Sequence, residues 1–109
     1  CEGADERNYP YGDRYEEDSC NGGDVRRGAA APTGQFEECL SEGGVFDLSG
    51  NLWEWIADGE AYGPPPGFHV RGGAYTSGVN TLRCQGTLGG VGPTSHAGVI
   101  GFRCCRDAP

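Results

Sequence analysis

Few side chains in this sequence can do chemistry, and their spacing narrows what they could do. Six cysteines are the most reactive group: Cys1, Cys20, Cys39, Cys84, Cys104 and Cys105. None forms a Cys-x-x-Cys pair, and adjacent Cys104 and Cys105 offer poor tetrahedral geometry, so structural zinc is not expected. Disulfides are the other use, and sequence alone leaves the pairing open. Proximity favours Cys20–Cys39, which would close an acidic loop. Cys104 and Cys105 would point to opposite faces of a strand, so a bond between them would need strain. His69 or His96 could act as a base and Ser77 or Ser95 as a nucleophile, but nothing in the sequence pairs them. Two histidines cannot supply a three-histidine metal site. Between Asp47 and Glu54, two acids flank a Gly50-Asn51 turn that could aim carbonyls and carboxylates at one point. Hard oxygen donors so arranged suit Ca²⁺. The same residues also fit an Asx-type turn with Trp53 and Trp55 as core anchors.

The elements that must hold these groups are short. Leu, Ile, Val and Phe supply 17 of 109 residues and glycine 21, with a formal net charge of −8. An apolar share this thin lies below the roughly 20% under which highly charged chains tend to be disordered. Cross-links can rescue such a core, which predicts one stapled, loop-rich domain from an oxidising compartment. Residues 1–60 carry 15 acids against 4 arginines, whereas residues 61–109 carry 1 acid against 4 arginines. The two parts should attract, but exposed pairs contribute little and a solvated acidic face is the preferred account of the pattern. The acidic balance and the absence of lysine argue against nucleic acid as a partner. No apolar run is long enough for a membrane span. No methionine occurs and the chain opens on Cys1, so it reads as a piece of something longer.

Residues 1–44 read as loop, and Val45 to Ile56 is the most apolar stretch. Pro64-Pro65-Pro66 reads as a stiff extended connector. Phe68 to Tyr75 reads as a short strand broken by Gly72-Gly73, residues 77–98 as loop, and Val99 to Cys105 as a last short strand. Glycine and proline punctuate nearly every window of ten, so long helices are not expected.

Three segments in order are distinctive: Gly44-Val45-Phe46-Asp47-Leu48-Ser49-Gly50-Asn51-Leu52-Trp53-Glu54-Trp55, Val70-Arg71-Gly72-Gly73-Ala74-Tyr75 and Gly101-Phe102-Arg103-Cys104. Together they resemble the formylglycine-generating enzyme (sulfatase-modifying factor) family, with Tyr9-Pro10-Tyr11-Gly12-Asp13 and Pro32 to Phe36 as weaker upstream signposts. The resemblance covers nearly the whole chain and matches the C-terminal part of the family domain. It implies an α+β, loop-rich fold of low secondary structure, C-type-lectin-like and here incomplete, spanning residues 1–109.

The resemblance also implies site residues. One calcium site would match Asp47, Gly50, Leu52 and Glu54, with Gly50 and Leu52 contributing carbonyls. A second would match Asn21, Gly22, Gly34 and Phe36, although Gly34 stands where the family often carries an acid. It suggests a Cys1–Cys84 disulfide. It further implies that Cys104 pairs with an N-terminal remainder of the domain, leaving Cys105 over. Family enzymes oxidise a substrate cysteine with copper held by two cysteines shortly after the Gly-Gly-Ser block, five positions apart. Here Ser77 falls at the first position, the second has no counterpart, and Ala74 replaces the serine of that block. A hydroxyl cannot replace a thiolate at Cu(I), so copper is not expected.

The expected function is thus a non-catalytic, calcium-binding module of a secreted or surface protein, of bacterial source. Its binding loop would be Thr76 to Ala97, with Ser77, Asn80, Arg83 and His96 facing a protein or glycan ligand. The alternative is a formylglycine-generating oxidase acting on a sulfatase cysteine.

Overall fold

A computed structural model describes residues 1, 3–57 and 67–107. Four short strands form one sheet: β1 (Trp53–Trp55), β2 (Phe68–Arg71), β3 (Thr87–Val91) and β4 (Ile100–Gly101). Their spatial order is β3-β2-β1-β4. β1 pairs antiparallel with β2, placing Glu54 opposite Arg71 and Trp55 opposite Val70. β4 runs parallel to β1, with Gly101 opposite Glu54. β2 pairs antiparallel with β3 through an irregularity between Phe68 and Val70.

This architecture corrects the expected fold class. The described residues contain strands and no helix, so neither the α+β class nor the helix-bearing C-type-lectin-like fold holds. The cause is local backbone geometry. Positive φ recurs at Glu6, Asp18, Arg26, Asp47 and Asn51 besides nine glycines, and each such residue interrupts a right-handed turn. The strands also differ from expectation. β2 ends at Arg71, where Gly72 takes φ +92°. β4 covers only Ile100–Gly101 of the stretch expected from Val99 to Cys105. β3 lies inside residues expected to be loop; its glycines hid a strand that β2 templates. Pro64-Pro65-Pro66 lies outside the described residues.

Alternation along the strands sorts the sheet into two faces. Trp55 and Val70 share one, where Trp55 meets Phe68 edge-on at 6.4 Å. Val70 is fully buried, whereas Trp53 and Trp55 remain half-buried, so the tryptophans do not anchor the core as a sequence reading allowed. The buried apolar set is small: Tyr9, Cys20, Cys39, Val70, Ala74, Leu82 and Cys84.

Three of those residues are sulfur bridges or half-bridges. Cys20 is bonded to Cys39 and Cys1 to Cys84, with Cα separations of 4.9 and 5.3 Å. The first closes 19 residues and the second 83, tying the N-terminus to the segment after the sheet's second strand. Loop-closure entropy makes the longer bridge worth more, about 4.5 kcal/mol against about 3 kcal/mol. Urea unfolding should therefore show a larger loss for the Cys1→Ser/Cys84→Ser pair than for Cys20→Ser/Cys39→Ser. Equal stability of both variants and the parent would remove the staples from the account.

Candidate functional site

The site is built around one turn. Gly50 takes φ +75°, and a Cβ there would lie 2.5 Å from the Asn21 carbonyl oxygen, so only glycine lets the two backbones approach. Asn51 follows with φ +65° and donates its N–H to Asn21 O at 2.8 Å. Its side chain accepts from Asn21 Nδ2 and Ala31 N, and donates to Ala31 O at 3.1 Å. The two residue sets expected to hold calcium are thereby joined: Gly34 N also donates to Asp47 Oδ2 at 3.0 Å.

Asp47, Leu52 and Glu54 meet at a cavity of 180 Å³ whose other walls include Phe102 and Arg103. Arg103 dominates it. Its Nε and Nη2 donate to the two carboxylate oxygens of Glu54, and its Nη1 and Nη2 donate to the carbonyls of Phe46 (3.0 Å) and Asp47 (3.2 Å). Glu54 holds the Arg103 pKa above its ordinary value, against the opposing effect of burial. A guanidinium therefore already engages three of the oxygens a cation would use at this first set. Calcium fits there only in exchange for Arg103.

The second set differs. Asn21 is fully buried, and its Oδ1 has no hydrogen-bond partner among the described residues. Asp24 Oδ1, three residues on, is likewise buried without a partner. A buried orphan acceptor is costly, and a cation would relieve it. Gly22 is buried beside it, while Gly34 and Phe36 are half-buried. The donor set thus fits a hard cation in part, with Gly34 contributing no side chain. Burial works to raise the Asp24 pKa, but hydrogen bonds from Asp18 N and the Tyr15 hydroxyl outweigh it, leaving the pKa below its ordinary value.

The expected binding loop divides. Asn80, Arg83 and His96 are exposed, and His96 Nδ1 lies 2.9 Å from Thr94 O. Ser77 is buried instead. It is 9% exposed, its hydroxyl accepts from Ala74 N at 2.9 Å, and its carbonyl accepts from Gly23 N. That serine closes a turn and turns its hydroxyl inward. His69 lies half-buried on β2. Cys104 and Cys105 are exposed free thiols. No group of three or more His, Cys, Asp or Glu among the described residues is placed to hold a metal ion, and Cys1, Cys20, Cys39 and Cys84 are all consumed in disulfides.

Sequence reading missed Arg103 and Asn51 as organising residues. The signal for Arg103 lay in the charge partition of the chain; for Asn51 it lay in an amide following a glycine in an otherwise apolar stretch.

These features define a disulfide-stapled, loop-rich β domain whose interior is organised by polar turns. The chain matches the model of the sulfatase-modifying factor enzyme 1-like domain over residues 1–108, and it belongs to that family. It is also similar to a serine/threonine-protein kinase, Pkn1, of Chlamydia trachomatis serovar L2, at 31% identity over 84 residues. That alignment covers 59% of this chain and 13% of the kinase, so the chain spans a small part of that relative's length.

Two outcomes follow from this geometry. Replacing Arg103 by Ala strands Glu54 and two carbonyls, and should lower the unfolding free energy by about 1–3 kcal/mol; Lys should restore little of it, lacking the planar fork. Chemical denaturation of both variants measures this. The lowered Asp24 pKa stabilises the folded state above the ordinary aspartate range, and that contribution disappears as pH falls through the folded-state value. Asp24→Asn should accordingly lose stability at neutral pH and show a shallower loss below about pH 4.

Proposed function

We propose that this chain is a non-catalytic binding module of the sulfatase-modifying factor family, carried by a secreted or surface bacterial protein. The observation that carries this reading is the Ser77 turn. At the position of the family's first copper cysteine stands a buried hydroxyl already committed to Ala74 N. Cys84, the nearest sulfur in sequence, is committed to Cys1. An oxidase needs two thiolates there, and this chain offers neither.

Several further features support the module reading. Two disulfides accord with an oxidising compartment. Among the described residues no helix is long and apolar enough to cross a membrane. A homologous stretch occupies 13% of a protein named as a kinase, which accords with a domain carried within larger chains. The exposed stretch with Asn80, Arg83 and His96 is the surface assigned to a protein or glycan ligand. Exposed Cys104 and Cys105 are the groups assigned to a covalent link with an N-terminal remainder of the domain.

Calcium belongs to this proposal at the second set. The orphaned Asn21 Oδ1 supports it, with the Gly22 and Phe36 carbonyls as further donors. The ion would supply charge and crosslinking to the Cys20–Cys39 loop. At Asp47, Gly50, Leu52 and Glu54 calcium would have to release Arg103 first.

Titration of the oxidised protein with Cu(I), together with a cysteine-containing sulfatase peptide, tests the catalytic half. No aldehyde product is expected; stoichiometric Cu(I) binding together with aldehyde formation retires the reading in favour of the oxidase. Calcium should raise the melting temperature of the parent and of Glu54→Gln but not of Asn21→Ala. A calcium shift that survives in Asn21→Ala and vanishes in Glu54→Gln would move the site to the first set.

A further inference from the structure

Across the sheet face opposite Val70, one row of paired residues runs over three strands. Arg71 stands opposite Glu54 on neighbouring strands, and Glu54 stands opposite Gly101. Glu54 spends both carboxylate oxygens on Arg103. Arg71 is consequently left over: it is exposed, and it makes no ion pair or side-chain hydrogen bond among the described residues. A cavity of 440 Å³ opens beside it, lined by Leu48, Ile56, Glu54, Gly72 and the Cys1–Cys84 disulfide. That volume falls in the range of small-molecule sites.

The walls are fixed. The disulfide pins one side. Gly72 lies against Leu48, where a Cβ would come within 2.9 Å of the Leu48 carbonyl, so no side chain can fill the space from there. Leu48 and Ile56 are half-buried and supply an apolar wall. With Glu54 paired to Arg103, Arg71 is the charged side chain left unpaired among the described residues that line the cavity.

We propose that this cavity binds a small carboxylate with an apolar body, the carboxylate on the Arg71 guanidinium and the body against Leu48 and Ile56. One planar guanidinium matches one planar carboxylate in a paired geometry. A dianion would gain a single partner and leave its second charge unpaired on a chain of net charge −8. A cation would meet Arg71. Two sources share this chemistry, a free apolar acid and the C-terminal carboxylate of a peptide ending in an apolar residue. From the Thr76 to Ala97 stretch the cavity takes only the buried, disulfide-bonded Cys84, and it uses neither calcium nor copper, so its failure is distinguishable from theirs.

Calorimetric titration of the oxidised 109-residue protein tests the proposal with 4-phenylbutyrate and with N-acetyl-alanyl-leucine, each against its amide. At least one acid should bind, and its amide should bind at least about tenfold more weakly. Arg71→Gln should weaken the acid by a similar factor and leave the amide unchanged, with Arg71→Lys between. Arg27→Gln, on an exposed arginine outside the cavity lining, should change nothing. Binding of the peptide acid alone assigns peptide termini as the source, and binding of phenylbutyrate alone assigns free acids. Equal affinity for acid and amide, full affinity in Arg71→Gln, or no binding of either acid at millimolar concentration overturns the proposal.

Discussion

The hydrogen-bond set of Asn51 is the constraint on which the described fold depends. Its backbone N–H goes to Asn21, its carbonyl accepts from Tyr75 N at 2.9 Å, and its amide spans both Asn21 and Ala31. Three segments far apart in sequence meet on one residue. In a domain with so little buried apolar surface, such saturation matters more than it would in an oily core, because each unmade bond there costs the full desolvation of its partner. The turn admits this arrangement only because Gly50 carries no side chain against Asn21 and because asparagine tolerates positive φ. Ser49 and Cys39 extend the same logic: the Ser49 hydroxyl donates to Leu82 O, and Cys39 sulfur lies 3.3 Å from the Ser49 carbonyl.

Arg103 then closes the frame from the other end of the chain. The sequence separates acids from arginines along its length, and this residue is where the separation becomes structure. Coulomb attraction alone would contribute little at a half-exposed site, about 0–1 kcal/mol. The planar fork adds what a point charge would not: it satisfies Glu54 and two turn carbonyls together, including that of Asp47, whose φ is positive. The strained turn is held by donors supplied from strand β4's extension, and the sheet and the loop system become one body.

How much of this was legible in the sequence depends on the kind of signal. Glycine-rich punctuation argued against long helices, and the described residues have none; Gly72-Gly73 marked the end of β2, because a backbone restriction is a property of the residue itself. The α+β, C-type-lectin-like expectation came instead from resemblance, and it failed because a match of motifs constrains the turns they form rather than the elements between them. β3 was invisible: Thr87 to Val91 contains two glycines and owes its extended form to its partner strand. The site shows the same division. Gly50 and Asn51 announced a turn, but nothing local could say that Asn21 would fill its other side. Ser77 looked like an available hydroxyl because its one partner, Ala74 N, is a backbone group that no sequence pattern displays.

The frame and the position of the family's chemistry are physically separable in this chain. The Asn51 hub, the Arg103 clamp and the two disulfides do not use the Ser77 side chain, whose hydroxyl only closes its own four-residue turn. A thiol at that position would be a weaker acceptor for Ala74 N and would still lack a second sulfur, since Cys84 cannot serve without opening the 83-residue bridge to Cys1. Restoring copper chemistry would therefore cost the domain its longest covalent constraint, whereas changing the exposed residues around Asn80 or His96 would cost the frame nothing that the described contacts reveal. In this chain, then, surface change is cheap, whereas the sulfur of Cys84 is available only by opening the bridge to Cys1.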